Sequence, residues 1–152
     1  IAALGADHLY VGDSHMDYAN ALLEAKQPAL AREHYARALE LRSSGYEGAH
    51  REITDARVGL AIADLALKRP DEARGVLERG LVALLEDEGE AGLAVAEARF
   101  ALARALWLSG GDKARARALA DQSLARYTNG ERAETLQGEA SEVRAWLRKH
   151  RG

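Results

Sequence analysis

The sequence predicts an all-α fold, an α-solenoid of three helix–turn–helix units with a C-terminal capping helix, and three observations predict it. Of the 152 residues, 32 are Ala and 22 are Leu, whereas Val and Ile together number nine; this is helix-forming material with little for strands. The two prolines stand 42 residues apart in matching surroundings. Apolar side chains recur throughout at the three- and four-residue spacing of amphipathic helices. The length supports a single domain, taken as 1–152, and the start at Ile1 reads as that of a fragment of a longer chain.

Superimposing Pro28 on Pro70 aligns Tyr18, Ala19, Ala21, Leu23, Lys26 and Ala31 with Leu60, Ala61, Ala63, Leu65, Lys68 and Ala73. A third copy follows at the same spacing with Leu102, Ala103, Ala105 and Trp107. After one inserted residue at the Gly110-Gly111-Asp112 turn, Ala116 and Leu124 fall 43 beyond Ala73 and Leu81. Small residues thus recur in phase at Ala19/Ala61/Ala103 and Ala31/Ala73/Ala116, where helix backbones must approach closely.

The first unit, about 7–43, is expected to hold helices at about 7–26 and 29–43. Pro28 opens the second of these, because its φ is preset for a helix and its missing N–H would lack an intrahelical partner there anyway. Leu22, Ala25, Leu30, Tyr35, Ala38 and Leu39 read as the inward face, with Arg32, Glu33, Arg37 and Glu40 outward. The second unit, about 50–86, repeats the plan with helices at about 50–68 and 71–86 around Pro70. The third, about 90–127, has helices at about 90–109 and 113–127; Gly110 and Gly111 end the first, and Asp112 caps the second.

A last helix at about 131–149 follows the Asn129-Gly130 turn signal. Leu136, Ala140, Val143, Trp146 and Leu147 give it an apolar side, and Thr135, Gln137, Glu139, Glu142, Arg144 and Arg148 a wet one. One packed side and one solvated side are what a capping helix needs.

These residues resemble tetratricopeptide (TPR) repeats, in the 42-residue form of kinesin-light-chain-like proteins. The first unit supplies Tyr18-Ala19 with Ala31, Tyr35 and Ala38; the second Leu60-Ala61 with Ala73, Leu77 and Gly80; the third Leu102-Ala103 with Ala116, Ala120 and Ser123. The resemblance implies a right-handed superhelix. Asp64, where the other units carry Leu22 and Leu106, and the small Ala120 depart from the pattern and are expected to weaken packing locally. Leu4-Gly5-Ala6-Asp7-His8 with Val11 and Asp13, and the closing Val143 to His150, are also similar to the C-terminal TPR regions of myxobacterial serine/threonine protein kinases. That implies a cytoplasmic regulatory or substrate-recruiting region.

Several function classes fall away. The net charge of −3 lacks the footprint of a nucleic-acid binder. Without cysteine there are no disulfides, cysteine-bearing zinc sites or thiol catalysis. No apolar run approaches membrane-spanning length. The glycine-rich loop, H-R-D and D-F-G strings of a kinase are missing, so the chain reads as non-catalytic, with no cofactor or metal. His8, His15, His34, His50 and His150 read as surface or packing residues. Glu86-Asp87-Glu88 with Glu90 reads as a solvated helix end, and Arg144, Arg148, Lys149 and Arg151 as cations facing the last helix's dipole.

What remains is binding. The resemblance places a concave peptide groove at Asp13, Met16, Asp17, Asn20 and Leu23; at Asp55, Val58, Ile62 and Leu65; and at Glu97, Phe100, Arg104 and Trp107. Asp13, Asp55 and Glu97 share one repeat position and would form an acidic row beside the apolar Met16, Val58 and Phe100. Such a groove prefers a basic or amphipathic protein segment; with only Asn20 and Arg104 it does not suit a carboxylate. The bland readings are that the row solubilises the face or pairs with neighbouring helices, and that Trp107 is core. The competing class is a structural cap of a longer array, self-associating as a homodimer through an apolar face near residues 1–11.

Overall fold

A computed structural model describes residues 2–45 and 50–151, with side chains at 10–44 and 51–151. The expectations resting on Leu4 to His8, and on the side chain of His50, lie outside these. The described chain is all-helical and has no strand among the described residues: α1 (Ala2–Glu24), α2 (Pro28–Gly45), α3 (His50–Ala66), α4 (Pro70–Glu88), α5 (Leu93–Leu108), α6 (Lys113–Asn129), a 3-10 turn at Ala133–Leu136, and α7 (Gln137–Lys149). No described helix is long and apolar enough to cross a membrane. By its contacts the chain divides into two compact units, Ile1–Val76 and Leu77–Gly152, with the division inside α4.

The repeat shows most clearly in its turns. After α1, Gln27 N–H donates to Leu22 C=O at 2.8 Å and Lys26 N–H to Leu23 C=O at 3.1 Å, with Lys26 at φ 61°. This pair of bonds around one left-handed residue is a Schellman motif, which satisfies carbonyls left over at a helix end. It recurs after α3, where Arg69 reaches Asp64 at 2.9 Å, Lys68 reaches Leu65 at 3.0 Å, and Lys68 has φ 63°. It recurs again after α5, from Gly111 to Leu106 at 2.8 Å and Gly110 to Trp107 at 3.4 Å, with Gly110 at φ 73°. The left-handed residues 26, 68 and 110 are evenly spaced by 42.

The inserted residue of the third repeat has a definite place. Gln27 and Arg69 each close the Schellman motif and also accept the first helical bond of the next helix, from Ala31 and Ala73. In the third repeat these two roles are divided: Gly111 closes the motif, and Asp112 accepts from Ala116 while its side chain accepts from Arg115 N–H at 3.0 Å. Helices α1 and α3 accordingly end short of the expected 26 and 68, at Glu24 and Ala66, two residues before the left-handed lysines.

In the N-terminal unit α2 packs on both α1 and α3. Ala19, Leu22, Ala31, Tyr35 and Ala63 form its core, with Met16, Leu23 and Leu60 packed against them. Tyr35 lies against Gly59, where a Cβ would run into the ring, and its hydroxyl donates to Asn20 Oδ1 at 2.6 Å. The inward face differs from expectation at two positions. Ala25 lies in the last turn before the Schellman motif and is exposed, and Leu30 is 44% exposed.

In the C-terminal unit α6 packs on α5 and α7. Helix α5 is buried on most of its circumference, from Val95 through Leu106. Ala116 and Ala120 are fully buried, so the small Ala120 sits in a closed contact instead of a weakened one. Ser123 Oγ donates to the Ala96 carbonyl. The last segment does not form one helix from 131. Arg132 takes a left-handed conformation at φ 65°, the 3-10 turn follows, and α7 starts at Gln137 with Leu136, Ala140 and Val143 buried.

Candidate protein-interaction site

The residues assigned to a groove fall in both compact units, and each set has its own surroundings. On α1, Asp13, Asp17 and Asn20 follow at helical spacing along one stripe, and all three are exposed. Met16 and Leu23 are half-buried beside them and touch the core. On α3, Asp55 and Ile62 are half-buried, Val58 is buried, and Leu65 is wholly buried and belongs to the interior. A ligand meeting α1 therefore finds carboxylates and an amide over a thin apolar margin.

The acidic row is partly engaged already. Asp13 accepts from Arg42 at 2.6 Å, and Arg42 is a buried guanidinium that also donates to the Glu52 carbonyl at 2.7 Å. One carboxylate thus compensates a buried charge and ties α2 to α1, which makes Asp13 part of the fold. Asp55 accepts from Arg51 one helical turn earlier at 2.8 Å. Asp17, by contrast, has no partner among the described residues. Glu97 lies near Tyr127 of α6, whose phenol is pushed well above its usual range by burial first and by Glu97, Glu139 and Glu142 next.

Sequence reasoning missed a second ionic site. Asp64 of α3 is buried, and Arg32 of α2 donates to it at 2.7 Å with Arg69 at 3.8 Å. Arg32, expected to point outward, thus bridges two helices. A hydrophobic repeat position filled by Asp was the available signal, read only as a packing defect.

Two histidines on neighbouring helices also meet. His15 of α1 and His34 of α2 place their Nδ1 atoms 2.8 Å apart, with the Tyr18 ring edge-on to His34. One ring must donate and the other accept, so the contact requires that at least one be neutral. The His15 imidazole is held below its usual range by burial, then by His34 and Arg37.

On α5, the third set is covered by the chain's own α7. Trp146 packs edge-to-face on Phe100 at 5.9 Å and on Trp107 at 5.7 Å between ring centroids. His150 stacks on Trp146 at 4.4 Å and meets Trp107 at 4.8 Å, and its Nδ1 donates to the Trp146 carbonyl at 2.7 Å. Arg104 lies over Phe100 and Lys113 over Trp107, at 5.8 and 4.9 Å from the ring centres. Phe100 is buried and Trp107 half-buried as a result. An aromatic ladder with a cationic rim therefore stands where an open groove was expected.

No group of three or more potential metal-ligating side chains occurs among the described residues. Residues 10–82 match the family model of the tetratricopeptide repeat. No curated protein matches the chain.

Proposed function

We propose, for a chain whose residues 10–82 match the tetratricopeptide-repeat model, a non-catalytic scaffolding role in which the N-terminal unit binds a basic or amphipathic protein segment. Repeats of this kind generally mediate protein–protein interaction, and the α1 stripe supplies the chemistry here. The observation that carries the reading is Asp17: exposed, unpartnered among the described residues, and flanked by the exposed Asp13 and by Met16. A cationic side chain above it gains a carboxylate that no arginine of the fold already holds, while apolar residues beside it reach Met16 and Leu23. The parent we propose is a bacterial, cytoplasmic serine/threonine protein kinase, with this chain as its C-terminal recruiting region.

The test is a fluorescence-anisotropy titration with a labelled basic amphipathic peptide against the wild type and Asp17→Lys. The reversal should weaken binding by about tenfold with an unchanged melting curve. Equal binding to both would refute the reading. Asp13 is a poor choice for this test, because reversing it strands the buried Arg42.

A second reading, a structural cap that self-associates, rests on one observation. Tyr10, Tyr18, Val11 and Leu30 are 73%, 54%, 48% and 44% exposed, and all lie on α1 and α2. The repeat equivalents of Val11 and Tyr18 in the third repeat, Val95 and Leu102, are fully buried. Concentration-dependent sedimentation that disappears in a Tyr10→Ser, Tyr18→Ser variant would support a homodimer through this face, and a monomer at every concentration would oppose it.

A further inference from the structure

Helices α6 and α7 flank an open cleft of roughly 510 Å³. Arg117 enters it from α6, and Arg144, Arg148 and Arg151 enter it from α7 and the residues that follow. Leu124 and Leu147 form its apolar floor, and Asp121 is its one acid. None of the four guanidiniums makes an ion pair among the described residues; Arg117 donates only to the Arg151 carbonyl at 2.5 Å. Complementing the dipole at the end of α7 accounts for Arg148, but not for Arg117, which lies one turn inside the N-terminal end of α6 where a cation gains nothing from it.

The repeat register says what kind of object this cleft receives. Asp121 and Leu124 of α6 stand 43 residues beyond Glu78 and Leu81 of α4. Glu78 is gripped by both terminal nitrogens of Arg115 on α6, at 2.5 and 2.8 Å, and Leu81 is buried. At this position α4 thus makes an ionic contact with the following second helix, α6. On α6 the same positions open into the cleft, and Leu124 is only half-buried.

We infer that the α6–α7 cleft is a docking seat for an acidic amphipathic helix of a partner protein, packed as one more second helix of the array. Its apolar stripe covers Leu124 and Leu147. Its carboxylates meet the four arginines, whose planar forks suit bidentate carboxylate contacts better than lysines would. The excess of three positive charges over Asp121 sets the sign of the partner.

The experiment titrates the chain with a labelled synthetic helix bearing a Leu stripe flanked by Glu, and with its counterpart bearing Lys. The wild type should bind the Glu peptide, more weakly as salt rises, and ignore the Lys peptide. Arg144→Glu with Arg148→Glu should lose the Glu peptide by about tenfold or more and gain the Lys peptide. The single Arg148→Gln, which adds no opposite charge, should lose about two- to fivefold. The double variant should still bind the basic peptide of the preceding section, and Asp17→Lys should still bind the Glu peptide, so either reading can fail alone. Equal affinity for both peptides, or binding unmoved by the arginine changes, overturns the inference. So does displacement of the peptide by millimolar pyrophosphate with the affinity that ion shows alone, which would mark a simple anion site. Self-association of the chain that the arginine reversals abolish would give the seat to a second copy instead.

Discussion

Arg32 of α2 donates to Asp64 of α3 across 2.7 Å, and the two ends of this bond differ: the Arg32 side chain is 36% exposed and the Asp64 side chain 8%. The carboxylate has lost its water, whereas the guanidinium keeps part of its own. Removing the acid and removing the base should therefore have unequal costs. Arg32→Ala leaves a buried carboxylate with only Arg69 at 3.8 Å and should destabilise by about 2–3 kcal/mol. Asp64→Leu installs the residue that the other repeats carry and should lie within about 1 kcal/mol of the wild type or above it. Denaturant melts of the two variants check this.

The left-handed turns make a second contrast. Lys26 and Lys68 adopt φ near 60° in exposed positions, where a Cβ is disfavoured and glycine is not. Lys26→Gly and Lys68→Gly should each stabilise by about 0.5–1 kcal/mol, and Gly110→Ala should cost about 1 kcal/mol, since nothing but backbone conformation distinguishes the sites. Thermal unfolding midpoints would show both signs.

Tyr35 and Gly59 should prove intolerant in a different way. A methyl group at position 59 meets the Tyr35 ring, so Gly59→Ala should destabilise by about 1–3 kcal/mol despite its gain in helix propensity. Tyr35→Phe removes the hydroxyl that donates to Asn20 and should cost about 1 kcal/mol. Their ranking in urea melts tests whether the close approach of α2 to α3 at Gly59 contributes more than the hydrogen bond from α2 to Asn20 of α1.

The His15–His34 contact gives a pH dependence. His15 has its folded pKa below the ordinary 6.5, so the unfolded chain binds the proton more readily. Stability from this site is complete above that ordinary value and falls as pH drops below it. The melting temperature should be lower at about pH 5.5 than at about pH 7.5, and His15→Gln should reduce the difference.

Much of this was legible in the sequence, for identifiable reasons. Pro28 and Pro70 fix helix starts whatever the tertiary context, and the in-phase alanines are small because two backbones meet there; Ala19, Ala31, Ala61, Ala73, Ala103 and Ala116 are all essentially buried. What escaped depended on contacts between distant residues or on backbone strain without a compositional mark. Nothing about lysine announces a left-handed turn, so the helical period alone carries α1 and α3 past their ends at Glu24 and Ala66. Asp64 appeared to be a defect because its partner lies 32 residues away. Arg42 carries no repeat signature, and its burial, with the side chain 7% exposed, follows from Asp13 29 residues away and the Glu52 carbonyl on α3. The ladder of Trp107, Trp146 and His150 depends on where α7 lands, which the helical period of α7 does not encode.

The most direct test of the interaction reading is a pair of amide-resolved NMR spectra, with and without the basic amphipathic peptide. Shifts should centre on Asp13, Met16, Asp17 and Asn20 of α1 and be absent in Asp17→Lys. Shifts confined to other helices, or no shifts at peptide concentrations well above the protein's, would contradict it.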